Sequence, residues 1–264
     1  METRATRIAL RVWVALVVLF LWTPLVIIGV YAFNESNIQS WPISGFSTKW
    51  FGEAWDNPEI RDAFWLSVKA ALGATGVAIV LGGALSFALH RFRFFGRDVI
   101  SFLVILPIAL PGIITGMALN SFFLFSGIDA SLWTIVIEHA TFCVVIVFNN
   151  VVARLRRTSP SLLEASMDLG ADGWQTFRYV TWPTIATALV AGALLAFALS
   201  FDEVIVTYFT AGANNTLPLL ILGYIREGLR LPVVNVVVLV VILLTIIPVM
   251  ISVRLTRDTG VARR

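Results

Sequence analysis

The chain has 264 residues, 58% of them hydrophobic and 13% charged, with a formal net charge of +3 and a mean hydropathy of +0.89. Soluble domains carry about 25% charged residues, and an inventory this poor in charge, with Lys49 and Lys69 its only lysines, cannot clothe a surface that faces water. A cytosolic enzyme, a secreted disulfide domain and a disordered scaffold are thereby excluded, and with Cys143 the only cysteine so are an internal disulfide and a cysteine-rich metal site.

A membrane-crossing helix needs about 20 predominantly apolar residues, and six runs qualify. This predicts an all-α polytopic membrane protein built as one domain over residues 1–264. The first run, residues 12–32, exceeds the about 7–15 apolar residues of a signal peptide, and no small-x-small cleavage site follows, so it reads as a retained span. Residues 34–64 hold five acidic and two basic residues, with Trp41, Trp50, Trp55 and the adjoining Trp65. The segment reads either as an interfacial stretch on the outer leaflet or as an ordinary external loop with aromatic anchors. The second span covers 67–89, where Gly73, Gly76, Gly82 and Gly83 suit close helix packing. The third, 99–125, contains Pro107 and Pro111, each of which removes a backbone donor and bends a helix. With Gly112 and Gly116 beside them, the span is expected to be kinked or partly unwound, either to line a cavity or only to pack. The fourth span covers 131–152, the fifth 183–209 and the sixth 231–253, with a second long external loop over 211–230.

Between the fourth and fifth spans lies a thirty-residue loop, ARLRRTSPSLLEASMDLGADGWQTFRYVTW, residues 153–182. Ser161 with Glu164 fits a capping box, and Ser159 before Pro160 is an alternative N-cap. Leu162, Leu163, Ala165, Ser166 and Leu169 then form a short helix with a small and apolar face, which Gly170 can end in the left-handed conformation. A second amphipathic turn with Trp174 and Phe177 leads to Pro183. On physical grounds this is either a knob for a groove on a soluble partner, with Glu164 bonding to it, or a helix pair resting on lipid headgroups.

Arg4, Arg7, Arg11, Arg91, Arg93, Arg97, Arg154, Arg156, Arg157, Arg178, Arg254, Arg257, Arg263 and Arg264 all fall on one side of the six spans, and the positive-inside rule puts that side, with both termini, in the cytoplasm. The basic balance is thus a topology signal and gives no reason to expect nucleic acid. Ionisable groups within a span cost roughly 2.5–3.5 kcal/mol at its centre, so each needs a partner or a task. They are Glu138 and His139 in the fourth span and Asp202 and Glu203 in the fifth; Asn120 adds an amide in the third. By helix rise Asp202 lies about 9 Å, Glu138 about 5 Å and Asn120 about 12 Å outward of their midpoints. All share the outer half of the bilayer and can converge on a water-filled path whose carboxylates favour a cation, with Tyr208, Phe201 or Phe209 adding cation–π contacts. The alternatives are a hydrated or arginine-paired outer-end carboxylate pair at Asp202 and Glu203, and a local or interhelical bond at Glu138 and His139.

The run Glu164-Ala165-Ser166, then Asp168 and Gly170, with Phe177 and Trp182-Pro183 at its end, resembles the EAA signature of permease subunits of binding-protein-dependent ABC importers with the type I (MetI-like) fold. That family usually has alanine at the place of Ser166. The fifth span's GALLAFALSFDEVIVTYFTAGANNTLPLLI, the third span's ILPIALPGIITGMAL and the fourth span's EHATFC are similar to the polyamine (spermidine/putrescine) branch of the family, to its PotC-type subunits in particular. The resemblance implies six transmembrane helices, a multi-pass protein of the bacterial inner membrane, and a coupling helix around Glu164 that sits in a cleft of the ATPase. It implies as partners an ATPase pair, a second and distinct permease and an extracytoplasmic substrate-binding protein. No G-x-x-x-x-G-K-[ST] phosphate loop is present, so ATP and Mg belong to the partner ATPase and this chain carries no cofactor and no catalytic residue. Other cargoes, such as ferric iron or another small solute, remain the alternative. An intramembrane enzyme using Glu138 and His139 is remote, because a Glu-His dipeptide lacks the i, i+4 ligand pairing of a zinc helix.

Overall fold

A computed structural model of the chain describes residues 4–92 and 94–261. In chain order its helices are α1 (Arg4–Ala32), α2 (Lys49–Asp56), α3 (Pro58–Arg91), α4 (Arg97–Ala109), α5 (Gly112–Phe125), α6 (Leu132–Arg156), α7 (Pro160–Asp168), α8 (Gly173–Thr176), α9 (Trp182–Phe201), α10 (Ile205–Thr210), α11 (Leu217–Glu227) and α12 (Leu231–Val261), with a π turn over Phe177–Thr181. Among the described residues four stretches are long and apolar enough to cross a membrane, namely Thr6–Ala32, Pro58–Arg91, Leu132–Arg156 and Gly173–Phe201, and the bent pair α4–α5 makes a fifth if it crosses as one. Where the sequence predicts a sixth, α12 is helical over Leu231–Val261, with Leu231–Ile246 its described apolar part.

The helices pack as two compact units, Met1–Arg61 with Ile221–Ile246, and Asp62–Leu220 with Ile247–Arg264. In the first unit, Asn34 is a buried hub: its side chain accepts from the Ser36 amide and donates to the Ile38 carbonyl, while its own carbonyl accepts the Trp50 indole N–H at 2.7 Å. Trp50 is therefore an anchor inside the protein, whereas Trp41 and Trp55 stay exposed. Tyr224 donates to Glu59 at 2.7 Å; burial, with the Glu59 carboxylate beside it, pushes the tyrosine hydroxyl above its ordinary pKa. The apolar stretch Thr6–Ala32 is exposed over most of its length, and Ala32 at its end is buried.

The second unit is centred on α3, α6 and α9, whose facing residues Ala74, Ala78, Phe142, Val147, Val151, Ile185 and Leu189 form its main core. Small residues let these helices meet: a Cβ at Gly82 would lie 2.8 Å from the Val144 carbonyl oxygen. The third span bends by 104° between α4 and α5. Proline disfavours helical backbone in the residue before it, and Leu110, ahead of Pro111, is extended at φ −83°, ψ 142°. Pro107, by contrast, sits inside α4 and the helix continues past it.

Two boundaries differ from the sequence reading. The fifth span's helix stops at Phe201, short of 209, and α10 restarts after a break at 202–204. The Glu203 carboxylate accepts from the Val206 amide at 3.0 Å and so supplies a partner to the first turn of α10. The segment 211–230, read from the sequence as a loop, contains α11, whose start is fixed by the Leu217 amide donating to Ser67 at 2.8 Å.

Candidate functional site

The loop over 153–182 folds from its caps outward. Ser159 is the N-cap of α7, accepting from the Ser161 amide with Pro160 in the first turn, so the alternative box of Ser161 and Glu164 is not the one used. Gly170 ends the helix at φ +83°, a conformation costly for any residue with a Cβ. Glu164, Ala165 and Asp168 stand exposed on the outward face, with Leu169 almost fully exposed. Ser166 instead turns inward, and its hydroxyl lies 2.7 Å from that of Thr176, both buried. The outward face thus combines the carboxylates of Glu164 and Asp168 with exposed Leu162, Met167 and Leu169, without Ser166. Asp172 and Gln175 form a capping box that starts α8, an Asp-x-x-Gln signal legible in the sequence but passed over.

From α8 the chain runs through the π turn into α9 without interruption, a single helix over Gly173–Phe201. Pro183 cannot donate to the preceding turn, and a wide π turn ahead of it absorbs the mismatch. Phe177 fastens this rod at its root, 5.5 Å from Phe87 of α3 and 5.7 Å from Trp174 between ring centroids. Arg154 donates to the Thr184 carbonyl at 2.9 Å and ties the end of α6 to it. A cleft of about 280 Å³, lined by Phe87, His90, Leu155, Leu163 and Phe177 among others, lies beside α7.

At the opposite end of the rod a polar group is enclosed. Glu138 and His139 of α6 are buried, at 0% and 1% exposure, with Ser200 and Thr207 equally covered. His139 Nδ1 is 2.7 Å from the Ser200 hydroxyl and Nε2 is 2.8 Å from that of Thr207. Glu138 Oε1 lies 3.2 Å from the same Nε2, and neither carboxylate oxygen accepts an aligned hydrogen bond. Glu203 is half-buried. Asp202, at the end of α9, is exposed, as is Tyr208 of α10, and Asn120 is half-buried on α5. The structure therefore gathers Glu138 and His139 with Ser200, Thr207 and the backbone of Glu203, and leaves Asp202 on the surface. Ser200 and Thr207 carry no signal of their own in a sequence, being common hydroxyls 61 and 68 residues from their partner. Among the described residues no group of three His, Cys, Asp or Glu side chains is placed to hold a metal.

Comparisons with known proteins agree with this architecture. The family model described as the binding-protein-dependent transport system inner membrane component matches residues 74–258. The putrescine transport system permease protein PotI of Escherichia coli (strain K12) is 35% identical over 225 residues, 82% of this chain and 79% of that protein. The spermidine/putrescine transport system permease protein PotC of Haemophilus influenzae is 31% identical over 243 residues, 91% and 93% of the two chains. Among solved structures, a bacterial ABC transporter involved in the import of the acidic polysaccharide alginate superposes with a TM-score of 0.67 at 16% identity over 98% of both chains, a likeness of fold. With the bent pair α4–α5, α9 rooted in the 153–182 loop and these relatives, the chain belongs to the family of inner-membrane permease components of binding-protein-dependent ABC transport systems.

Proposed function

We propose that this chain forms half of the translocation path of an ATP-driven importer for polyamines of the spermidine/putrescine class. The observation that carries this reading is an acidic break, Asp202–Glu203, at the end of α9 in a chain whose relatives at 31% and 35% identity are named for putrescine and spermidine/putrescine transport. The chain crosses the membrane six times, as α1, α3, the pair α4–α5, α6, the rod ending in α9, and α12, with both termini and the 153–182 loop in the cytoplasm. A second, distinct permease completes the path and an extracytoplasmic binding protein delivers the cargo. A pair of ATPase chains, which bind ATP and Mg, grips the outward face of α7 at Glu164, Ala165 and Asp168, with Gly170 setting the turn behind it.

In this reading α7 follows the ATPase pair as it closes, and the path opens outward to receive cargo. Release of the pair returns it inward, the alternating-access cycle. Asp202 meets an ammonium group first, Tyr208 offers a ring face worth about 0.5–2 kcal/mol, and Asn120 offers an amide. Glu203, half-buried behind them, adds a second carboxylate to the break, and Glu138 lies buried on α6.

The test is uptake of radiolabelled spermidine and putrescine by cells expressing the permease with its transport partners, beside Asp202→Asn and a strain lacking the permease. Loss of a charged contact worth about 1.5–3 kcal/mol is expected to raise KM in the variant roughly tenfold or more. Uptake that needs the permease but is indifferent to Asp202 removes that residue from the path and keeps the cargo. An assembled complex with no permease-dependent polyamine uptake overturns the cargo.

A further inference from the structure

His139 has no task in the path or in the docking of α7, yet both of its ring nitrogens lie within hydrogen-bond distance of buried hydroxyls. The Thr207 hydroxyl donates to the Glu203 carbonyl at 3.1 Å. With its one proton committed there, it faces the imidazole as an acceptor, so the ring donates through Nε2 and Nδ1 meets the Ser200 hydroxyl. One ring thus joins α6 to the last turn of α9 through Ser200, and to α10 through Thr207. Those two attachments bracket residues 202–204, the non-helical stretch that carries Asp202 and Glu203. The Glu138 carboxyl group is fully buried beside the same edge of the ring, 3.2 Å from Nε2. Around the break the backbone bonds are local, from the Asp202 amide to the Ala198 carbonyl and from the Glu203 amide to that of Ser200, and the ring adds a side-chain link across to α6.

We propose that His139 is a positioning residue: it pins the break between α9 and α10 across α6 and so fixes where the Asp202–Glu203 pair is presented. Its link to cargo rests on the reading of Asp202 as a path residue; the pin itself does not. Replacing His139 with alanine cuts both attachments at once. Glutamine, whose amide oxygen and nitrogen are spaced like the two ring nitrogens, can restore them.

The experiment is hydrogen–deuterium exchange of the assembled complex in lipid nanodiscs, with polyamine uptake kinetics in parallel. His139→Ala is expected to speed exchange of the amides over 202–207 at least tenfold, leaving α3 unchanged. Thr207→Val, which keeps the ring, speeds the same amides less, and His139→Gln returns them toward the parent rate. In uptake, His139→Ala raises KM severalfold with Vmax within twofold, and His139→Gln restores KM. Unchanged exchange over 202–207 in His139→Ala overturns the proposal whatever the cargo is. Faster exchange spread through α3 overturns it too, since His139 is then a general stabiliser. Local acceleration with an unchanged KM upholds the pin and overturns Asp202 as a cargo contact.

Discussion

At Gly116 the second half of the broken span meets α10 with no room for a methyl group. A Cβ built there lies 2.8 Å from Cδ2 of Phe209 and 3.2 Å from Cα of Val206. The ring can turn aside but the backbone of α10 must shift, so Gly116→Ala is expected to destabilise the subunit by about 1–3 kcal/mol, the usual cost of overpacking. Gly76, on α3, has nothing within 4 Å of the same position. Gly76→Ala is expected to cost nothing and, as a helix-interior replacement, to add up to about 1 kcal/mol. Thermal unfolding of the two purified variants in one detergent reads the contrast. Equal losses would mean that the α5–α10 contact is not the tight one.

Among the elements, the joint between α7 and α8 decides whether a pull on the loop reaches the membrane. That joint is the buried hydroxyl pair Ser166–Thr176, and beyond it α8, the π turn and α9 form one rod. Ser166→Ala strands the Thr176 hydroxyl, Thr176→Val strands Ser166, and the double variant removes both. A double-mutant cycle on thermal stability is expected to show a coupling of about 1 kcal/mol; a coupling near zero would detach α7 from the rod. The long apolar helices were legible in the sequence because lipid demands uninterrupted runs, and the bend at Leu110 because proline restricts its predecessor. The end of α9 at Phe201 was not. It depends on Glu203 bonding to the first turn of α10 and on α10 fitting against Gly116, contacts that local hydrophobicity does not record. The inward turn of Ser166 was hidden for the same reason, since Thr176 lies on another element. Trp50 shows the limit in miniature: it shares its composition signal with Trp41 and Trp55, and only the Asn34 carbonyl draws it inside.

For the whole molecule, the rod and the pin describe a single lever. One end is α7, with Glu164, Ala165 and Asp168 facing outward; the other is the break at 202–204, attached to α6 through His139. Packed helices and a bonded break move as bodies and do not stretch, so under the proposed function a displacement of α7 would reach Asp202 as rotation or translation of the rod. Coupling and stability are therefore separable on this chain. Glu164 is exposed, and substitutions at such positions usually change stability by no more than about 0.5 kcal/mol. Glu164→Lys is expected to leave membrane insertion and the thermal midpoint of the purified subunit unchanged while abolishing uptake and the stimulation of ATP hydrolysis by cargo-loaded binding protein. Both losses must appear together, because a variant defective only in the path would still transmit the signal from binding protein to ATPase. Normal uptake by Glu164→Lys would remove α7 as the docking element, and a collapsed midpoint would return Glu164 to a structural role.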